Sequence, residues 1–508
     1  MTKELKSKIK TLLINNYINE KDITYPFKGK VSVSLPNDFY IYDNIVIYDS
    51  PIYLPFWFEE LSKHNYKFKY HIVIYFAPEN TPKLPSAHTG LLLFSKDGLS
   101  IKKIRVPHKN CKFCNQNVKD WGGKKHLMNP EGVAISDVWK HLNLSYSDII
   151  NSRIPKVVEL ELRKLFDETT KTDGIRTIDS FIDSYDEINN IIKEEMTNKV
   201  YCADAIEKLN ELPKNSIDLI FVDPPYNLNK NYKTYHDERN DYIEWSEQWI
   251  SKCLDVIKSD GSFVLLNIPK WAHELAFKLI PKYYIQEWIV WDEPGEPRGK
   301  MIPAHYSLLW FSKNRSPLIN KLPDEQASLD FCSRQKCKKN RSGKVQDEIF
   351  VRDVRWDIHR VKAGKRRFNH PTQLPEKLLD FIIRLTTKPG QIVLDPMMGT
   401  GTTVVTAKNL NRKYIGIDID QTYVNISKAR LEGKTQDLTQ NQKSPQKING
   451  FTKKDIQIQI GELAIKLGHL PSEDEIYSSL NISKQQLLDL FKSWSKVVKY
   501  AKLILKKR

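Results

Sequence analysis

The chain has 508 residues, of which 40% are hydrophobic and 28% charged; that length suits about three domains, with cores that need no disulfide or metal staples. No stretch approaches the ~18 uninterrupted apolar residues of a membrane span. No apolar segment follows the lysine-rich start to suggest export, and six cysteines are too few for a disulfide scaffold, so a cytoplasmic protein is expected. Lys and Arg number 79 against 62 Asp and Glu, a net charge of +17, which favours a polyanionic partner through Coulomb attraction and counterion release.

In chain order, residues 1–195 mix strand-like and helical patterns, with buried strands expected over Tyr70–Phe76 and Gly90–Phe94. Residues 196–433 alternate strand and helix. Strands are predicted over Ser216–Val222, Gly261–Leu266, Gln391–Leu394 and Lys413–Ile417, and helices over Ile243–Ile257 and Pro375–Thr386. Such alternation implies βαβ units and an α/β, doubly wound, mostly parallel sheet. Residues 313–370 break the pattern and are dense in Lys and Arg, as a surface insertion would be. Residues 434–449 are polar and read as a linker. Residues 450–508 return to helical spacing: Gly468 is a helix stop, Leu470-Pro471-Ser472 opens a second helix and Ser483 caps a third. Short helices joined in this way suggest a helix-turn-helix-like unit.

Residues 72–96 and 289–313 align without gaps at an offset of 217, with eleven of twenty-five positions identical, among them Ala87-His88 with Ala304-His305. Shared strand composition does not explain matched His, Glu and Lys, so residues 1–195 are read as a duplicated, degenerate copy of residues 196–433. Ile154-Pro155-Lys156 likewise echoes Leu374-Pro375-Glu376.

Two motifs carry chemistry. Asp223-Pro224-Pro225-Tyr226 follows an apolar strand; its prolines stiffen a turn that brings a carboxylate, an aromatic ring and backbone carbonyls together at a strand's carboxyl end, where open α/β sheets bind ligands. An exocyclic amino group of a nucleobase is a poor nucleophile because its lone pair is delocalised. A carboxylate and a carbonyl that each accept one N–H would orient it, and Tyr226 would stack on an extruded base. The second motif, Asp395-Pro396-Met397-Met398-Gly399-Thr400-Gly401-Thr402-Thr403, joins a strand to a helix. Its glycines let the backbone approach a ligand at the helix N-terminus, and Asp418 follows at the next strand end, where an acid can bind ribose. The pattern is neither GxGxxG nor a Walker loop.

With His370-Pro371-Thr372-Gln373-Leu374-Pro375 between them, these motifs resemble the amino-group DNA methyltransferases of the β arrangement, in which the catalytic motif precedes the cofactor motif. The resemblance covers roughly residues 200–430. It implies a Rossmann-like methyltransferase fold and S-adenosylmethionine as cofactor, held by Asp204, His370, Gln373, Asp395, Pro396, Gly399, Thr400, Gly401, Thr402 and Asp418. It implies that Asp223, Pro224, Pro225 and Tyr226 hold the target amine. The DPPY form is closer to adenine-N6 than to cytosine-N4 members, and Met397 and Asp418 stand where Phe and Glu are common. Double-stranded DNA and a separate restriction endonuclease are the implied partners, with no membrane. The basic insertion, which includes Arg315, Lys336, Lys338, Lys339, Arg341, Arg352, Arg355, Arg360, Arg366 and Arg367, sits where the family carries target recognition. The 450–508 tail resembles helical repeats associated with homing endonucleases and suits accessory DNA binding. Competing readings are cytosine-N4 methylation, a non-catalytic DNA-binding protein, and methylation of RNA or a protein amide.

Cys111-x2-Cys114 and Cys332-x4-Cys337 have zinc-ligand spacings, one pair in each copy. If the copies pack as an internal pseudo-dimer, which would leave the protein monomeric, four thiolates could meet at one ion. Cys111 and Cys114 with His108 or His126 is the alternative set.

Overall fold

The protein is described here from a computed structural model over residues 11–15, 27–35, 40, 42–77, 87–98, 101–117, 129, 131–150, 154–166, 169–172, 175–180, 190–228, 237–293, 301–320, 322, 332, 334–341, 352–361, 373–434, 447–448, 451–480, 482–491, 494–498 and 501. The chain forms two compact units. One comprises residues 1–104, 134–327 and 347–439; the other comprises 105–133, 328–346 and 440–508. Among the described residues no helix is long and apolar enough to cross a membrane.

The first unit contains two large sheets. The amino-terminal sheet is built from β1 (Thr11–Asn15), β2 (Asn44–Asp49), β3 (Lys67–Ala77), β4 (His88–Ser95), β5 (Val138–Ser145) and β6 (Thr169–Thr172). Helix α1 (Leu54–Lys63) joins β2 to β3, and α2 (Lys156–Leu165) precedes β6. The second sheet uses β7 (Lys199–Cys202), β8 (Ile217–Val222), β9 (Ile257–Asn267), β10 (Tyr284–Asp292), β11 (His305–Ser312), β12 (Val354–Arg355), β13 (Ile392–Asp395) and β14 (Lys413–Asp418). Its helices are α3 (Ala205–Asn210), α4 (Tyr242–Val256), α5 (Pro269–Leu279), α6 (Glu376–Thr386), α7 (Thr402–Asn409) and α8 (Gln421–Leu431).

The strand order of the second sheet is β7-β14-β13-β8-β9-β11-β10-β12, with only β11 antiparallel to its neighbours. Every residue of β8 is buried, as suits a strand covered by helices on both faces. Its one acid, Asp218, accepts from Lys258 Nζ (2.7 Å), Gln391 Nε2 (2.9 Å) and the Ile392 N–H (2.8 Å), which pins β8 to both neighbours. Helix α4 stops at Val256, and β9 starts at once at Ile257 rather than at Gly261. Gly261 lies inside the strand, at a place where a side chain would stand 2.8 Å from Ile257 and 3.0 Å from the Ile217 carbonyl, so only glycine fits.

The amino-terminal sheet has the order β6-β1-β2-β4-β3-β5, which repeats β13-β8-β9-β11-β10-β12 strand for strand. Val73 opposite Val138 corresponds to Val290 opposite Val354. Helices α1 and α5 occupy the same place in each repeat and pack on each other, with Phe56 edge-on to Phe277 at 5.6 Å. The two repeats also exchange acids. Asp353 accepts from the Ala87 N–H (2.9 Å) and contacts His88 Nδ1 (2.7 Å); Asp137 accepts from the Ala304 N–H (2.8 Å) and lies 3.1 Å from His305 Nδ1. His71 Nδ1 meets His273 Nε2 at 3.2 Å in the same core, where burial holds His71 low and pushes His273 down to about 3. The two sheets thus share a strand order and contact each other through matched residues within one chain. In the amino-terminal copy β1 runs into Asn16-Tyr17-Ile18-Asn19 and β6 into Asp173-Gly174-Ile175-Arg176, so both chemical motifs are missing.

In the second unit, helices Lys453–Leu467, Glu473–Leu480, Lys484–Phe491 and Trp494–Val497 pack around Ile456, Ile460, Ala464, Ile476, Leu487 and Phe491. Gly468 takes φ 78° after the first helix. Ser472 and Glu475 form a reciprocal cap (2.7 and 3.3 Å), as do Ser483 and Gln486 (2.9 and 3.3 Å).

Candidate active site

Strands β8 and β13 are parallel neighbours, with Leu219 opposite Val393 and Ile220 opposite Leu394. The loops that leave them therefore emerge at one edge of the sheet. Together they line a cleft of about 580 Å³, which also takes Asp204, Gln373, Leu374, Asp418 and Tyr423 into its wall. That volume lies in the range of small-molecule and cofactor sites.

The proline turn is braced from behind. Tyr242 donates its hydroxyl to the Pro225 carbonyl (2.8 Å) and receives Asn267 Nδ2 (3.0 Å), while Trp271 Nε1 donates to the Tyr226 carbonyl (2.8 Å). These bonds occupy two of the turn's carbonyls; among the described residues none donates to the Pro224 carbonyl. The Tyr226 hydroxyl donates to Asp223 Oδ1, and the Tyr226 ring is buried with its centroid 5.7 Å from that of Tyr306. Tyr306 in turn packs on Trp291 (5.3 Å) and under the Arg360 guanidinium (5.3 Å). The ring expected to face an extruded base is thus tied through its hydroxyl to the Asp223 carboxylate.

The glycine loop is held by its own acids. Asp395 Oδ1 accepts from the Met397 N–H (3.0 Å). Asp418 accepts from the Gly399 N–H through Oδ2 and from the Asp420 N–H through Oδ1, both at 2.8 Å. Asp418 therefore both lines the cleft and sets the loop's shape, a role its sequence position did not reveal. Arg430 reaches the Thr400 carbonyl (2.7 Å), Thr402 Oγ1 (3.2 Å) and Glu376 (3.2 Å). Gly401, expected at the ligand, is not part of the cleft wall. It caps α7 with φ 78°, and a side chain there would stand 2.5 Å from Ser427 Oγ, so glycine is needed for packing behind the loop.

Five carboxylates, Asp204, Asp223, Asp237, Asp395 and Asp418, line this cleft. Burial pushes Asp395 up to about 7, with the charges of Asp223 and Asp418 adding to it and bonds from Thr403 and the Met397 N–H opposing it. Burial likewise raises Asp418 to about 6 against the N–H groups of Asp420 and Gly399. Such a site favours a ligand that carries positive charge.

Most expected residues come together here: Asp204, Asp223, Pro224, Pro225, Tyr226, Gln373, Asp395, Pro396, Gly399, Thr400, Thr402 and Asp418 all line the cleft. Asp204 also caps α3, its Oδ1 accepting from Ile206 (2.8 Å) and Glu207 (3.1 Å). His370 lies outside the described residues. Asp237, Arg239, Tyr242 and Trp245 form a further wall that was not anticipated; the aromatic pair at the start of α4 was the available signal.

The insertion is less uniform than its charge suggested. Arg355 is 5% exposed, stacked on Phe381 at 3.8 Å and paired with Asp357 at 3.0 Å, so it supports the fold and is not available to DNA. Arg352 donates to the Tyr75 hydroxyl and Arg360 to the Glu293 carbonyl (3.2 Å). Arg366 and Arg367 lie outside the described residues. Of the alternative zinc ligands, His108 is engaged by the Asn129 carbonyl at 2.8 Å and His126 lies outside the described residues.

Residues 217–429 match the N6_N4_Mtase family, described as DNA methylase. The type II methyltransferase M.BamHI of Bacillus amyloliquefaciens is 34% identical over 254 residues, 47% of this chain and 58% of that protein, so the match leaves over a third of that relative uncovered. M.HpaI of Haemophilus parainfluenzae is 33% identical over 47% of this chain and 75% of its own length. The DNA adenine methyltransferase YhdJ of Escherichia coli (strain K12) is 30% identical over 45% of this chain and 81% of its own length.

Proposed function

Since this chain belongs to the N6/N4 DNA methylase family, we propose that it transfers a methyl group from S-adenosylmethionine to adenine N6 at a specific site in double-stranded DNA, as the modification partner of a restriction endonuclease. The observation that carries this reading is the single cleft shared by Asp223-Pro224-Pro225-Tyr226 and the Asp395–Thr402 loop. The adenine assignment is supported by the DPPY form of the first motif and by the relative named for adenine methylation.

The cleft fits the cofactor's chemistry, because its buried acids ask for a cation and the cofactor carries a sulfonium and an ammonium group. When bound, S-adenosylmethionine supplies an electrophilic methyl group on positive sulfur, with a neutral thioether as leaving group. Asp395 and Asp418 would hold the charged and hydroxyl-bearing parts, and Asp204 and Gln373 would close the wall. Asp223 and the Pro224 carbonyl would each accept one N–H of the target amine, which turns its lone pair away from the ring. Asp223 is then placed to take the proton released on methylation. For adenine to enter, the Tyr226 hydroxyl must leave Asp223, which frees both the carboxylate and the ring face. Orientation supplies most of the rate.

Incubation with a mixed-sequence duplex and labelled cofactor, followed by nucleoside analysis, is expected to give N6-methyladenine alone. N4-methylcytosine would overturn the base assignment, and absence of any labelled base would overturn the activity.

Cofactor affinity should depend on pH in a defined direction. A cationic ligand favours ionised carboxylates, and Asp418 and Asp395 ionise only near 6 and 7 without it. The dissociation constant should therefore fall by at least about tenfold between pH 5.5 and 7.5 in calorimetric titrations. A flat profile would mean that these acids do not contact the charged part.

A further inference from the structure

We propose that Cys111, Cys114, Cys332 and Cys337 bind one zinc ion that staples the segment around Cys111–Cys114 to the segment around Cys332–Cys337. Their sulfurs all lie within 4.8 Å of one another, with Cys111 to Cys337 at 3.8 Å and Cys114 to Cys332 at 3.6 Å. A tetrahedron of Zn–S bonds of ~2.3 Å has S···S edges of about 3.8 Å. Disulfides would need about 2.05 Å, little more than half the separations present.

The surroundings point the same way. Cys111, Cys332 and Cys337 are 1%, 0% and 6% exposed, and among the described residues their buried cluster contains only these and Cys114. Four thiols make a poor apolar core, too small to hold residues 105–117 and 334–341 together by burial alone. The chain is also wrapped around the sulfurs. The Cys111 N–H donates to the Gln116 carbonyl (2.6 Å), the Asn115 N–H returns to the Cys111 carbonyl (2.8 Å), and Asn115 adopts φ 51° to close the knuckle. Arg334 Nη1 donates to the Asn117 carbonyl at 2.6 Å, tying the second segment to the first.

The ligands come in a meaningful pattern. Residues 105–133 lie between β4 and β5, and 328–346 lie between β11 and β12, the equivalent position in the other repeat. Each repeat therefore gives two thiolates. Closing this loop in the unfolded chain spans more than 200 residues, so the ion constrains contacts that chain connectivity alone leaves loose. Four thiolates suit zinc or iron, and the affinity order of divalent ions places Zn²⁺ above Fe²⁺.

The test is metal analysis of the full chain purified under reducing conditions, which should find about one zinc per chain, and under about 0.2 in Cys332→Ser. If Cys332→Ser does not fold, the wild-type protein serves. Titration of its thiols with a mercurial, read by a chromogenic chelator, should release one zinc as the fourth thiolate is modified, and Co²⁺ exchange should give the intense visible bands of a tetrahedral thiolate site. Metal-free protein in which these four thiols titrate along with the exposed Cys202, a mass lowered by disulfide formation, or stoichiometric iron would each overturn the proposal. Cofactor titration of the same preparations is read separately, since the cleft lies wholly in the other unit.

Discussion

Asp223→Ala is expected to lower single-turnover methyl transfer by about 10³-fold while cofactor affinity at pH 7.5 stays within about threefold. Two separate consequences of the geometry are involved. The variant removes the acceptor that orients the amine, and nothing else on the turn replaces it, because the Pro225 and Tyr226 carbonyls are committed to Tyr242 and Trp271. It also removes a negative charge that helps hold Asp395 near 7. The pH dependence of cofactor binding should therefore move to lower pH in the variant, a change that mere loosening of the loop would not produce. Asp223→Asn keeps one carbonyl acceptor and should retain part of the rate. A rate for Asp223→Ala within tenfold of wild type would remove Asp223 from the reaction.

Those parts of the molecule set by local pattern could be read in advance. The apolar run of β8, the proline turn, the glycine loop and the capping serines of the tail each depend on a few adjacent residues. The repeat at offset 217 could be read because its strands keep matched side chains. What could not be read depends on contacts between distant segments. Asp418 looked like a ribose ligand, yet it also receives the Gly399 N–H. Gly401 looked like part of the ligand floor, and its reason is Ser427 on another helix. Arg355 counted toward a basic surface and is stacked on Phe381. Cysteine spacing offered two candidate pairs whose meeting depended on how the copies pack, and the fold brings all four sulfurs within 4.8 Å.

Asp353→Ala should be among the most destabilising single changes in the molecule, by about 3–5 kcal/mol, because it leaves the buried His88 and the Ala87 N–H without their partner. Asp137→Ala breaks the related contacts to Ala304 and His305 and should cost a similar amount. Urea unfolding measures both. The reason for the symmetry is that each repeat completes the other, as subunits of a twofold dimer would, but within one chain. We propose that the amino-terminal copy takes the place of a second subunit. We therefore expect a monomer in sedimentation at all workable concentrations, and one methyl group transferred per chain in a single turnover, since only one copy carries the two motifs. An obligate homodimer, or a neutral effect of Asp353→Ala, would mean that the amino-terminal repeat has some task other than standing in for a second subunit.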